Sequence, residues 1–187
     1  MLFRYSQPEN GTMMKNTKTC LIFFFFLSLA SLNALAELGV YVIDNTMNAP
    51  FPGEPTFRGD VESGGAKMRV YSYRDFTNGI LYTANYSLSR VTYKEAEIPQ
   101  YLDAFVKGGV LAVNGRLVQK KQLKIGSDRG VYYTIDAEVE GIAGRKCSAA
   151  IFRNGQFFIW TVQDLPGVSR LDARTIFENH VKYFSLN

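Results

Sequence analysis

The chain has 187 residues, of which 21 are basic and 17 acidic, giving a formal net charge of +4. The first 36 residues hold Arg4, Lys15, Lys18 and Glu9; without them 151 residues carry 18 basic and 16 acidic side chains, a net +2 that gives no argument for nucleic acid or a membrane surface. Two cysteines and one histidine rule out a disulfide scaffold and any recognisable zinc ligand set, so stability must come from packing.

The first segment reads as a secretory signal. Lys15 and Lys18 precede the apolar run 21–30, and Ala34-Leu35-Ala36 follows as a small-x-small cleavage site before Glu37. The run falls short of the roughly 20 apolar residues that a membrane span needs, so no stable transmembrane segment is expected after cleavage. Met14 gives a more compact signal than Met1. Cys20 lies before the apolar run, which disfavours a lipid anchor, and it leaves with the signal. The expected organisation is an extension with a cleavable signal over 1–36, then one α+β domain over 37–187, with Cys147 as its single thiol.

Residues 38–43 form a short predicted strand. In 49–55 three prolines remove backbone donors, so the segment is expected to be an extended loop or an edge strand. Residues 59–67 read as a loop. A hairpin follows, 68–75 and 80–88, around Asn78-Gly79. A two-residue turn there opposes Tyr71 to Tyr86, Tyr73 to Ala84 and Asp75 to Tyr82, placing Tyr71, Tyr73, Tyr82 and Tyr86 on one face. These four tyrosines are a candidate ligand platform, weighed against ordinary cross-strand packing.

A helix with Ile98, Leu102, Phe105, Gly109 and Ala112 on one stripe comes next. Thr92 to Glu95 offers a capping box, whereas Pro99 fits better in the first turn; Asn114-Gly115 supplies the stop.

Four strands then form an antiparallel meander over 116–162. Pairing Ile125 with Val131 opposes Leu123 to Tyr133, Leu117 to Val139, Lys120 to Asp136 and Arg116 to Glu140. Asn154-Gly155 sets a type I′ hairpin with Phe152 opposite Phe157, Ile151 opposite Phe158, Ala149 opposite Trp160 and Cys147 opposite Val162. Apolar residues on both faces of this last pair require cover on both sides. Ser169 and Asp172 open a final helix with Ala173, Ile176, Phe177, Val181 and Phe184 on its apolar stripe.

No catalytic residue, metal site or cofactor emerges. His180 reads as a partnered or exposed helix residue, and Cys147 as buried packing. There is no G-x-S-x-G, P-loop or dinucleotide fingerprint. The basic run Arg116, Lys120, Lys121, Lys124 and Arg129 is a candidate polyanion-binding row, with Arg116, Lys120 and Lys124 at its centre; acidic residues on the next strand offer a charge-balanced surface instead.

The helix reaching Gly115, a strand ending at Ile125-Gly126, Gly130-Val131-Tyr132-Tyr133, the hairpin Ile151 to Phe158 and the closing helix 173–186 together resemble bacterial secreted relatives of the PsbP-like fold. Phe51-Pro52-Gly53-Glu54-Pro55 looks like the Phe-Pro-Gly-x-Pro opening of those proteins. The resemblance implies an antiparallel β-sheet meander with helices packed on its faces, an α/β/α sandwich. It carries over no catalytic or binding residue. The reading is an exported, non-catalytic binding or accessory protein of the cell envelope, periplasmic or secreted, with an envelope protein or polymer as partner. The rival is a small secreted or periplasmic hydrolase acting through a site that no motif marks.

Overall fold

A computed structural model describes residues 37–63, 65–139, 142–165, 167 and 171–187. Its strands are β1 Gly39–Ile43, β2 Met47–Phe51, β3 Thr56–Ser63, β4 Ala66–Asp75, β5 Ile80–Ser87, β6 Arg116–Ile125, β7 Asp128–Val139, β8 Ile142–Arg153, β9 Gln156–Asp164 and β10 Ser185–Leu186. The helices are α1 Ile98–Ala112 and α2 Ala173–His180, the second running into a short 3-10 turn, Val181–Tyr183. Seven strands form an antiparallel sheet in the order β3-β4-β5-β9-β8-β7-β6, and three form a small sheet in the order β1-β2-β10.

The large sheet has a core on each face. On one, α1 buries Ile98, Leu102 and Val106 against Val131, Tyr133, Ile135, Ala150, Phe152 and Ile159. Tyr101 stacks on Phe152 with ring centroids 5.3 Å apart, and Phe105 stacks on Phe157 at 4.8 Å. On the other face, α2 and the small sheet cover Tyr82, Cys147, Ile151, Trp160 and Val162 with Met47, Phe51, Ile176, Phe177 and Phe184. Both sides of the β8–β9 pair are therefore covered, as its two-faced apolar pattern demands.

Local chemistry explains the elements. Pro99 sits in the first turn of α1, where its missing N–H costs nothing. The helix ends in a Schellman arrangement: Gly115 N–H donates to Val110 O at 3.0 Å, Asn114 N–H donates to Leu111 O at 3.1 Å, and Asn114 takes φ +45°. Its buried stripe is Ile98, Leu102 and Val106; Phe105 and Gly109 are half-buried, and Ala112 is exposed. Asp172 caps α2 by accepting from the backbone N–H of Arg174 and Thr175. Ser169 and the predicted signal, 1–36, lie outside the described residues.

The β8–β9 register is the expected one, with Asn154 at φ +52° and Gly155 at +78°, as a type I′ turn requires. Four other expectations are corrected. The β4–β5 hairpin pairs Tyr71 with Ala84, Tyr73 with Tyr82 and Asp75 with Ile80, around a four-residue turn. Asp75 causes this, because its carboxylate accepts the Asn78 backbone N–H at 3.0 Å and its Nδ2 at 2.7 Å. The slip is two residues, so the tyrosines keep their common face.

In the β6–β7 hairpin, Ile125 pairs with Asp128 rather than Val131, because the turn is only Gly126-Ser127 with Gly126 at φ +60°. This slip is odd, so Lys120, Gln122 and Lys124 move onto the α1 face beside Val131 and Tyr133. A bulge between Leu117 and Gln119 then reverses the facing, and Arg116 pairs with Asp136 instead of Glu140, which lies outside the described residues.

Residues 59–67, read as a loop, are mostly strand: β3 pairs with β4, and Gly59, at φ +110°, marks a bulge. The proline-containing β2 is the centre of the small sheet, not its edge. Pro50 is tolerated there because β10 pairs only with Met47 and Asn48, leaving that side of Pro50 without a ladder partner. No helix among the described residues is long and apolar enough to cross a membrane.

Candidate functional site

The odd register of β6 opens a concavity beside α1. A cleft of about 590 Å³ runs between α1 and the β6–β7 hairpin. Leu102 and Pro99 line it from the helix, and Leu123, Gly130 and Val131 from the strands. Lys120, Lys124 and Arg129 bring cations, Asp103 a carboxylate, and Gln122 and Ser127 neutral polar groups. Its volume is in the range of small-molecule sites.

The charges in the cleft are not balanced. Lys120 forms an ion pair with Asp103 across the gap between β6 and α1. Lys124 lies directly opposite Arg129 in the ladder, and neither has a carboxylate within ion-pair distance among the described residues. Like charges directly opposed on two strands destabilise a sheet. The neighbouring carboxylate, Asp128, belongs to the opposite side of the strand, where Arg153 holds it; Nε of Arg153 donates to both oxygens at 2.9 Å.

The predicted polyanion row is thus divided. Lys120 and Lys124 share the cleft, whereas Arg116 is sent by the bulge to the other face, 3.4 Å from Asp136. Asp136 also accepts from Arg145 Nε at 2.8 Å, and this bond, opposed by partial burial, holds its carboxyl below the usual range. Arg129 joins Lys124 in the cleft, and the Lys121 ammonium lies over the Tyr132 ring, 5.6 Å from its centroid. The cleft went unseen in the sequence because a spacing of four residues implies one face only where a strand is regular.

The four tyrosines stay together, but in the core. Tyr82 is fully buried and Tyr86 nearly so, with Tyr71 and Tyr73 half-buried against them. Tyr86 donates its hydroxyl to Asp44 Oδ2 at 2.6 Å, and Asp44 lies 3.6 Å from Arg69. Burial opposes ionisation of Asp44, but hydrogen bonds from Tyr86 and Tyr71 and the Arg69 charge outweigh it and lower its pKa. Burial, aided by Asp44, pushes Tyr71 up to about 12. Asp44 sits at φ +46° in the β1–β2 turn, so the network ties the small sheet to the large one.

Cys147 is buried, and burial pushes its thiol up to about 11. Its Sγ is 3.6 Å from Thr134 Oγ1. His180 Nδ1 is 2.8 Å from Ile176 O on its own helix. Lys146, on β8, is held below its ordinary value by burial, with no ion pair among the described residues. The room beside it is about 20 Å³, which admits one water and no substrate.

No protein-family model matches the sequence, and no curated protein matches it. Among solved structures, the chain is similar to cyanobacterial PsbP (CyanoP) from Synechocystis sp. PCC 6803. The two are 14% identical over 83% of this chain and 95% of that one, with a TM-score of 0.53. A Pseudomonas aeruginosa protein of unknown function, PA94, aligns over 69% of this chain and 83% of its own at 12% identity, with a TM-score of 0.39. The first likeness shows an α+β, PsbP-like fold and nothing finer.

Proposed function

We propose that the chain is an exported, non-catalytic binding or accessory protein of the cell envelope, and that it takes an anionic ligand in the cleft between α1 and the β6–β7 hairpin. The supporting observation is the Lys124–Arg129 pair, two like charges opposed at the wall of this cleft with no carboxylate partner among the described residues. A sheet that keeps such a pair gains when an anion bridges it. Arg116 lies on the other face and Lys120 is held by Asp103, so the site favours a discrete anionic group over an extended polymer. Export rests on the pattern of Lys15, Lys18, the apolar run and Ala34-Leu35-Ala36.

Titration with inorganic phosphate, followed by amide chemical shifts, tests the site. Shifts concentrated at residues 123–131, and abolished by Lys124→Glu or Arg129→Glu, support the reading; no shifts, or shifts elsewhere, overturn it. Mass spectrometry of the protein recovered from its host tests export, with Glu37 as the expected N-terminus of a periplasmic or secreted product.

A further inference from the structure

Among the described residues four strands lie at a sheet edge, β3 and β6 in the large sheet and β1 and β10 in the small one. A free edge offers unpaired N–H and C=O groups, and charges, prolines, bulges or shortness keep foreign strands off it. β6 carries Arg116, Lys120, Lys121 and Lys124 and a bulge after Leu117; β3 carries Arg58, Asp60 and Glu62 and the bulge at Gly59. β10 has only two residues. β1 has none of these guards. Its sequence, Gly39-Val40-Tyr41-Val42-Ile43, holds no charge and no proline, and it pairs with β2 residue for residue without a break. Val40 and Val42 are 51% and 59% exposed, while Tyr41 and Ile43 pack into the core on the other side of the strand.

β1 is also complementary to itself. Val40 and Val42 flank Tyr41 symmetrically, so a two-fold axis at Tyr41 sets Val40 of each copy opposite Val42 of the other. Four exposed valines then form one apolar cluster of β-branched cross-strand pairs. The same register sets Leu38 opposite Asp44 and Glu37 opposite Asn45, so no like charges are opposed.

We propose that β1 pairs with β1 of a second copy in this antiparallel register, joining the two small sheets into one across a two-fold axis. An unrelated extended peptide would gain the backbone bonds too, but it has no use for the symmetry of the valines, which an isologous contact requires. The surface is separate from the anion cleft, which is lined by α1, β6, β7 and the turn between those strands, so either reading can fail without the other. One short strand pair buries less than a stable dimer needs, which makes the association weak, with a dissociation constant on the order of 100 μM.

Sedimentation equilibrium of the protein in the form its host produces tests this between about 10 μM and 1 mM. The expected result is a mass that rises from monomer to dimer, with amide exchange over residues 39–43 slowing in parallel. Two double variants test the register. Val40→Lys/Val42→Lys opposes like charges at both cross-strand positions and is expected to weaken dimerisation by about tenfold or more. Val40→Lys/Val42→Glu sets each introduced ammonium opposite a carboxylate and is expected to retain the dimer, now sensitive to salt. Both changes lie at exposed positions, so thermal midpoints near the wild-type value are expected and show that the fold is kept. A monomer throughout the concentration range overturns the proposal and leaves the edge to a different strand. A dimer that both variants keep unchanged places the contact elsewhere, and equal loss in both variants rules out the antiparallel register.

Discussion

The indole N–H of Trp160, on β9, donates to the carbonyl of Pro50, on β2, at 2.9 Å, and so joins the large sheet to the small one. Trp160 is fully buried, with its ring stacked on Phe177 at 5.2 Å. The bond lies where no water replaces it. Trp160→Phe is therefore expected to cost about 1–3 kcal/mol for the orphaned carbonyl, with a further loss for the smaller ring. Urea unfolding checks this as a lower midpoint with an unchanged slope.

Cys147 combines complete burial with a thiol pushed up to about 11, so its reactive thiolate is scarce at neutral pH. Alkylation is expected to be slow in the native protein and rapid in denaturant. Fast native labelling would contradict the placement of the β8–β9 pair beneath α2.

Two glycines, one in the C-terminal half of α1 and one just beyond its end, should respond with opposite signs. A Cβ on Gly108 meets nothing within 4 Å, so Gly108→Ala is expected to stabilise by up to about 1 kcal/mol through helix propensity and reduced unfolded-state entropy. A Cβ on Gly115 would lie 2.4 Å from Ile135 Cγ2 and 2.8 Å from Asp136 O. Gly115→Ala is expected to destabilise by about 1–3 kcal/mol, since the second contact is with backbone. Thermal midpoints of the two variants give the comparison.

Acid sensitivity should reside partly in Asp136. The Arg145 hydrogen bond, with a smaller contribution from Arg116, lowers its pKa in the folded protein. The unfolded state then binds the proton more tightly, so the stabilisation is complete above the unfolded pKa and is lost as pH falls through the lowered folded value. Denaturant midpoints between about pH 6 and pH 2 should show a flatter acid limb in Asp136→Asn than in the wild type.

The β8–β9 pair was legible from the sequence because Asn154-Gly155 allows few closures and its two-faced apolar pattern excludes the neighbouring registers. The same dipeptide at Asn78-Gly79 misled, since the Asp75 carboxylate takes the Asn78 N–H and lengthens the turn. The tyrosine face survived that slip because an even shift keeps side chains on their side. On β6 the charges themselves misled. Asp136 and Glu140 looked like the natural partners of Lys120 and Arg116, but Lys120 finds Asp103 on a helix that no strand pattern brings near. The bulge at Val118 is equally silent in sequence, and the cleft depends on both.

The pairing of β10 with β2 also links distant parts of the chain. Asn48 Nδ2 donates to Ser185 Oγ at 3.1 Å across a separation of 137 residues, and the Asn187 N–H reaches back to Thr46 O at 3.1 Å. The β1–β2 hairpin is local in sequence, whereas its second neighbour, β10, lies far along the chain. Closing so long a loop is entropically costly until the intervening sheet has brought the two ends together. The small sheet thus joins segments from far apart in the chain, and in doing so holds Pro50 against Trp160 over that side of the core.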